Sequence, residues 1–390
     1  MEPIEDIISA EEKLKNYCER SDFKGWDPWD ALASPLFRRF PFDRRLPRWA
    51  ANHIIKISPL NLRPLLAIRR DCFAKGLALF LSGYVLREQR SSDTHQREII
   101  QKLYRRLMQK ALPGYSGPCW GTNVPYQTRA FFVPAQTPSL VHTAFAVEAL
   151  LDLNNLSPRD HHVEVALGAC RFALQDLSVR TTRGDGICFS YTPVDQSRVI
   201  NVTALAARML ARTAFAAQDS LLKEKARLAV NYVVSQQTAD GSWLYGEERI
   251  HHWIDNYHTG FILDALEDYS DITKDESVAE CILRGVRFYQ NHLFLENGIP
   301  KFSHRSLYPI DGHCLAQGIL TFCKQSRRDP DLLLFAQKIA RWGINHFSHP
   351  RGYFYFQKRR CWLNRISQIR WVNAWMFLAL NRLIQAVEDR

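Results

Sequence analysis

The chain of 390 residues carries 51 Lys and Arg against 40 Asp and Glu, a formal net charge of +11, with 46% hydrophobic and 23% charged residues. This is ordinary globular composition, with apolar content for one large core or two small ones. No apolar run is long enough to span a bilayer, and the acidic opening Met1–Glu12 lacks the basic, apolar, small-residue order of a secretory leader, so a soluble cytoplasmic protein is expected.

The first predicted element is an amphipathic helix near residues 5–19. Residues 21–71, rich in Trp, Pro and Arg, then break the pattern, and the stretch 37–70 sets eight Arg and one Lys against Asp43 alone. They predict an irregular basic collar or lid inside a first hairpin. From there two kinds of helix alternate. One kind, predicted near 97–112, 160–177, 220–237, 277–293 and 331–347, has one charged face; Ile99, Ile100, Leu103, Tyr104 and Leu107 recur at three and four residues while Arg and Lys fill the other side. The other kind, near 72–88, 140–153, 200–215, 256–269, 312–325 and 369–386, is apolar almost all round, as Val372, Ala374, Trp375, Met376, Phe377 and Leu378 illustrate.

Between most outer and inner helices lies a Gly followed closely by aromatics: Gly117-Pro-Cys-Trp120, Gly186-Ile-Cys-Phe189-Ser-Tyr191, Gly241-Ser-Trp243-Leu-Tyr245, Gly298-Ile-Pro-Lys-Phe302 and Gly352-Tyr-Phe-Tyr-Phe356. These glycines are 69, 55, 57 and 54 residues apart, the signature of a helical repeat. Twelve helices alternating outer and inner, without convincing strands, predict an all-α (α/α)6 toroid of six helical hairpins forming a single domain over 1–390.

A toroid delivers the starts of its inner helices to one funnel, and here those starts are polar: Lys75, His142, Asn201, then Asp255, Tyr257 and His258, then Asp311 and His313, then Arg370, Trp371 and Asn373. Unpaired helix N–H groups add partial positive charge there, which suits anionic or hydroxyl-rich ligands. Asp255 and Asp311 also suit plain N-caps, worth about 0.5–2 kcal/mol each, but capping does not explain the His that follows each. Trp120, Tyr126, Trp243 and Trp371 stand at the same level, as sugar-stacking faces or as packing wedges; Arg129 joins them as a binding residue. His251–His252 and His161–His162 read as surface pairs. The nine cysteines show no zinc-like spacing, so reduced thiols are expected and no metal or cofactor is. P-loop, GxGxxG, HExxH and GxSxG motifs are absent.

Seven stretches together look familiar: Gly25-Trp-Asp-Pro28, Ser58-Pro-Leu-Asn-Leu-Arg63, Lys75-Gly-Leu-Ala-Leu-Phe-Leu-Ser82, Phe189-Ser-Tyr-Thr-Pro193, Asp240-Gly-Ser-Trp243-Leu-Tyr-Gly246, Trp253-Ile-Asp255-Asn-Tyr-His258-Thr-Gly260 and Tyr308-Pro-Ile-Asp311-Gly-His313. From about residue 22 onward the chain resembles a family of helical toroid proteins encoded in bacterial extracellular and capsular polysaccharide gene clusters. The resemblance implies a role in polysaccharide biosynthesis, on a fold shared with six-hairpin glycosidases. Gln237-Thr-Ala-Asp-Gly241-Ser-Trp243 also matches one copy of the squalene-cyclase repeat, but the DxDD acid motif of those enzymes is missing.

Three functions follow as expectations. In the first, Asp255 and Asp311 flank a glycosidic bond as acid and base, since neighbouring helix starts lie about 8–10 Å apart, close to the roughly 6.5–9.5 Å of inverting pairs. The second moves a proton beside a uronate carboxylate, with His258, His313 or Tyr257 as acid and base and Arg370 or Lys75 neutralising the charge, giving an epimerase or lyase. The third is a non-catalytic glycan-binding or scaffold component of a synthase complex. The expected partner is a glycan or other anionic sugar compound, with peripheral docking on an anionic membrane through 37–70; no nucleic acid is expected, as no binding signature accompanies the charge.

Overall fold

The computed structural model of the chain describes residues 4–38, 44–127, 132–182 and 185–390. Its helices, in chain order, are α1 (Glu5–Arg20), α2 (Arg45–Ile57), α3 (Ala74–Arg90), α4 (Thr94–Gln109), α5 (Leu140–Leu156), α6 (Asp160–Gln175), α7 (Ile200–Ala217), α8 (Ser220–Ser235), α9 (Asn256–Thr273), α10 (Ala279–Leu293), α11 (Gly312–Gln325), α12 (Asp331–Phe347) and α13 (Ala374–Glu388). Helices α3, α5, α7, α9, α11 and α13 each pack on the next, and α13 returns to α3. Outside this closed ring α4, α6, α8, α10, α12 and α1 form a second layer. The fold is the (α/α)6 toroid that the repeat predicts.

The sequence dictates which helix goes where. In α5 almost every residue from Leu140 to Leu151 is buried, so it can sit only where neighbours surround it. Helix α4 buries one stripe, Ile99, Ile100, Leu103 and Leu107, and turns its charges to solvent; each such side chain contributes about 1.5–3 kcal/mol. One apolar cluster runs round the ring from Ile7 in α1 to Ile384 in α13.

The repeated glycines are explained by close approach to the next outer helix. Gly117 abuts Gly168 of α6, Gly186 abuts Tyr232 of α8, Gly241 abuts Arg284 of α10, Gly298 abuts Ile339 of α12, and Gly352 abuts Lys13 of α1. At Gly241, φ is +89°, and a Cβ would lie 2.5 Å from the Arg284 carbonyl oxygen. Any larger residue there would push the outer layer away. The tryptophans that follow are wedges: Trp120 Nε1 donates to the Leu107 carbonyl at 2.8 Å and Trp243 Nε1 to that of Val233 at 2.9 Å.

The collar contains a regular element that the sequence reading did not foresee, helix α2. It stands on a small separate core of Trp26, Ala31, Ile55, Ile68 and Ile366. The buried Arg63 Nε donates to both Asp30 oxygens at 2.8 and 2.9 Å, and Arg63 Nη2 donates to the Asp27 carbonyl at 2.8 Å. The Ile369 N–H donates to the Trp26 carbonyl at 2.9 Å, stitching the collar to the entry of α13. Among the described residues strands are short, two antiparallel pairs, the longer Val179–Thr182 with Gly186–Phe189, and a three-stranded sheet of Ile310–Asp311, Gln357–Lys358 and Leu363–Asn364. Among the described residues no helix is long and apolar enough to cross a membrane. Eight of the nine cysteines are buried and all are free.

Candidate active site

Where the inner helices begin, the toroid encloses a cavity of about 500 Å³. The polar helix starts converge on it: Lys75 of α3, His142 of α5, Asn201 of α7, Asp255, Tyr257 and His258 of α9, and His313 of α11 all line it. Arg370 and Trp371 join them from a π-helical turn, Ile369–Asn373, that leads into α13. Such wide turns are frequent at functional sites because the extra residue re-aims side chains.

Asp255 and His258 form a fixed pair. Asp255 caps α9, its Oδ1 accepting the His258 N–H at 3.0 Å. Its Oδ2 accepts from Trp253 Nε1 at 3.0 Å and lies 2.7 Å from His258 Nδ1. A carboxylate can only accept, so the proton of the neutral imidazole sits on Nδ1, and Nε2 keeps a lone pair. No partner occupies that Nε2 among the described residues.

Two more imidazoles are buried without full hydrogen bonding. His142 Nδ1 meets the Ser139 hydroxyl at 2.7 Å while its Nε2 has no partner; both ring nitrogens of His313 lack one. His313 stacks on Tyr257 at 4.6 Å and on Trp375 at 4.5 Å, and Tyr257 also carries His258 at 4.2 Å. Both imidazoles thus pack on one phenol ring. Burial first, and then Lys75 with His258 and Arg370, holds His313 well below the usual imidazole range. Burial, then Arg370 and Lys75, does the same to His142. Both are therefore neutral at pH 7, each ring holding one N–H and one nitrogen lone pair.

The cations are held differently. Lys75 makes no ion pair among the described residues; its ammonium lies 5.1 Å above Phe145, 5.3 Å from Trp375 and 5.7 Å from Phe261. Burial and the neighbouring Arg370 lower its pKa well below the ordinary lysine value. Arg370 is clamped by Asp27, Nε to Oδ2 at 2.6 Å and Nη2 to Oδ1 at 2.8 Å. Lys56 of α2 lies 4.2 Å over the Trp29 ring, and burial lowers its pKa to about 8.

Aromatic walls complete the cavity. Tyr245 stacks on Trp253 at 4.4 Å and 14°, and Tyr126, Tyr191 and Trp29 add further faces. The rings of Tyr126, Tyr191, Tyr245 and Tyr257 all line it. Asn201 Oδ1 is unpaired among the described residues. No cluster of three or more potential metal ligands occurs among the described residues.

Four expected site residues lie elsewhere. Asp311 is 1% exposed and does not line the cavity. It caps α11 through the His313 N–H at 2.8 Å and accepts from Gln357 Nε2 at 2.6 Å and Trp371 Nε1 at 3.2 Å. It therefore supports the Trp371 face from behind. Asn373 accepts the Phe354 N–H at 2.9 Å and donates to Ser367 and to the Gln368 carbonyl, so it serves the backbone. Trp120 and Trp243 are the wedges described above. Arg129 lies outside the described residues. Two surface expectations also change: His251 lines the cavity, with Nδ1 3.0 Å from Glu248, and His162 is buried on the edge of the Tyr104 ring. Sequence reasoning missed the collar's share, Asp27, Trp29, His53 and Lys56, because that segment follows no repeat.

Neither a family model nor a curated protein sequence matches the chain. Solved structures do match. A GH76 α-mannanase of Bacteroides thetaiotaomicron is similar over 81% of this chain and 88% of its own, at 13% identity and a TM-score of 0.63. A cellobiose 2-epimerase of Bacillus thermoamylovorans is similar over 81% of this chain and 90% of its own, at 12% identity and 0.62. A D-mannose isomerase covers 82% of this chain and 87% of its own at 8% identity and 0.62. At such identities the likeness is one of fold: the chain shares its closed double ring of helices with hydrolases and epimerases of sugars.

Proposed function

We propose that the protein is a carbohydrate-processing enzyme that moves a proton at a sugar carbon beside a carboxylate or carbonyl, as an epimerase or lyase. The observation that carries this is the presence, in one cavity, of His258 oriented by Asp255 together with His313 and His142 bearing unpartnered nitrogens. His258 Nε2 takes the proton from carbon. The electron pair moves onto the substrate oxygen, where Lys75 and Arg370 neutralise it. Return of a proton to the opposite face inverts the centre, the neutral His313 ring relaying it by accepting from water at one nitrogen as it donates from the other, and protonation of a departing oxygen at the neighbouring carbon by the His258 imidazolium gives an unsaturated sugar instead. Tyr126, Tyr245, Trp253 and Trp371 supply ring-stacking faces and Asn201 a hydrogen bond.

A glycosidase needs two carboxyl groups at the bond. The carboxylates lining the cavity among the described residues are Asp27 and Asp255, the first clamped on Arg370 and the second on His258 and Trp253. Asp311, the partner expected for Asp255, is enclosed behind Trp371. Hydrolysis is the second reading, supported by the α-mannanase on the same fold; it requires Asp27 to leave Arg370. The resemblance to polysaccharide-locus toroids supports a substrate among the glycans of bacterial polysaccharide biosynthesis.

The test is incubation with uronate-containing oligosaccharides in D2O, followed by NMR. Deuterium at C5, or an unsaturated product, is expected and should vanish in His258→Asn. New reducing ends without exchange would put hydrolysis in its place; neither exchange nor cleavage would leave a glycan-binding component.

A further inference from the structure

Helix α2 is turned inside out. Its buried face carries Ala51, Asn52 and Ile55, whereas Leu46 (75% exposed), Trp49 (40%) and Ile54 (58%) lie on the opposite side, where Trp49 stacks on the cavity residue His53 at 4.2 Å. Leu60 and Leu65, 70% and 81% exposed, follow shortly after its end in the chain. A surface helix normally shows charge to water, and contiguous exposed apolar side chains mark an interaction surface.

Exposed cations come from two remote parts of the chain. Arg44 and Arg45 are exposed at the start of α2, and Arg69 and Arg70 at the far end of the collar. The turn Lys358-Arg-Arg360-Cys-Trp362 is pinned beside the end of α2, Trp362 Nε1 donating to the Ile57 carbonyl at 3.4 Å and Asn364 Nδ2 to that of Ser58 at 2.8 Å. Among the described residues of 44–70 and 351–370, Arg44, Arg45, Arg69, Arg70, Arg351, Lys358, Arg360 and Arg365 are exposed, whereas Arg63 and Arg370 are buried in ion pairs. Lys56 of the same helix reaches the cavity, so the face adjoins the active-site mouth.

We infer that this face docks the protein on an anionic lipid bilayer. The apolar side of α2 lies in the headgroup layer, and the two basic segments meet acidic headgroups, the pattern of an interfacial helix. Charge selects this occupant over a second copy of the chain, because two such faces brought together would oppose cation to cation. The inference concerns the surface and stands independently of the reaction proposed above.

Vesicle flotation tests it with the full chain and no substrate. The protein is expected to float with phosphatidylcholine vesicles containing a quarter phosphatidylserine, to stay behind with phosphatidylcholine alone, and to be released by high salt. Leu46→Glu/Ile54→Glu should lower partitioning at least about tenfold with an unchanged melting temperature. Arg69→Gln/Lys358→Gln/Arg360→Gln should lower it about a hundredfold, at roughly fivefold per cation. Failure to float with the anionic vesicles overturns the inference, as does undiminished floating of the Leu46/Ile54 variant. So does a lipid-free wild-type dimer that this variant turns into a monomer, which would give the face to a second copy. Deuterium exchange into a soluble oligosaccharide, measured on the same variants, reports separately on the reaction.

Discussion

Asp255→Asn isolates the chemistry of the site from its architecture. The substitution keeps the shape and the Oδ1 acceptor, so the cap on the His258 N–H, worth about 0.5–2 kcal/mol, survives. What changes is the other atom. Oδ2 now receives Trp253 Nε1 at 3.0 Å and faces His258 Nδ1 at 2.7 Å; an amide nitrogen there would confront two donors. The imidazole relieves its half of the conflict by moving its proton to Nε2, and the nitrogen facing the cavity loses its lone pair. The indole cannot adjust, which costs about 1–3 kcal/mol of stability. Displacing the tautomer of a carboxylate-held imidazole lowers turnover by about 10⁴, equivalent to about 5.4 kcal/mol of barrier. Deuterium exchange followed by NMR, alongside thermal melting, should show kcat down by that order, KM nearly unchanged and a folded protein. A variant that exchanges at the wild-type rate, or whose loss lies in KM alone, would refute the assignment of His258 as base.

Asp27→Ala leaves the buried Arg370 uncompensated and should cost about 3–5 kcal/mol in chemical denaturation; a loss below 1 kcal/mol would show the clamp to be unimportant. Asn373→Ala removes the acceptor of the Phe354 N–H and should destabilise by about 1–3 kcal/mol while KM stays constant, unlike a change in a residue that touches substrate. His142 and His313 both have lowered folded-state pKa values, so the unfolded chain binds protons first as the pH drops below about 6.5. Their contribution is therefore complete above that pH and declines below it. The melting temperature of His142→Ala/His313→Phe should fall less between pH 7 and pH 5 than that of the wild type, and an equal or steeper fall would count against neutral imidazoles in the folded chain.

The ring was legible because each hairpin repeats one physical solution, an amphipathic cover, a glycine turn and a greasy inner helix. That same regularity placed Lys75, His142, Asn201, Asp255, Tyr257, His258, His313, Arg370 and Trp371 at one mouth. It also misled where chemistry-bearing residues serve the repeat itself. Trp120 and Trp243 occupy equivalent places in two copies and make equivalent indole-to-carbonyl bonds, a recurrence that argues for packing. Asp311 looks like Asp255 in sequence, each an acid shortly before a His; only the Gln357 and Trp371 side chains, supplied from more than forty residues away, separate the enclosed one from the accessible one. The collar was legible only as an irregular basic insertion, not in what it lends the site. Asp27, Trp29, His53 and Lys56 have no counterpart in any repeat, and their approach to the cavity depends on the Arg63–Asp30 pair and the small core beneath α2.

The glycine that meets Lys13 has a consequence for cooperativity. An open array of hairpins has two terminal units with one neighbour each, and it melts inward from them. Here the last turn rests on the first helix, so every hairpin has neighbours on both sides and no end is available to fray. Unfolding any one hairpin must break two interfaces at once, and amide exchange in α3 and α13 should be as slow as in α7, on the opposite side of the circle.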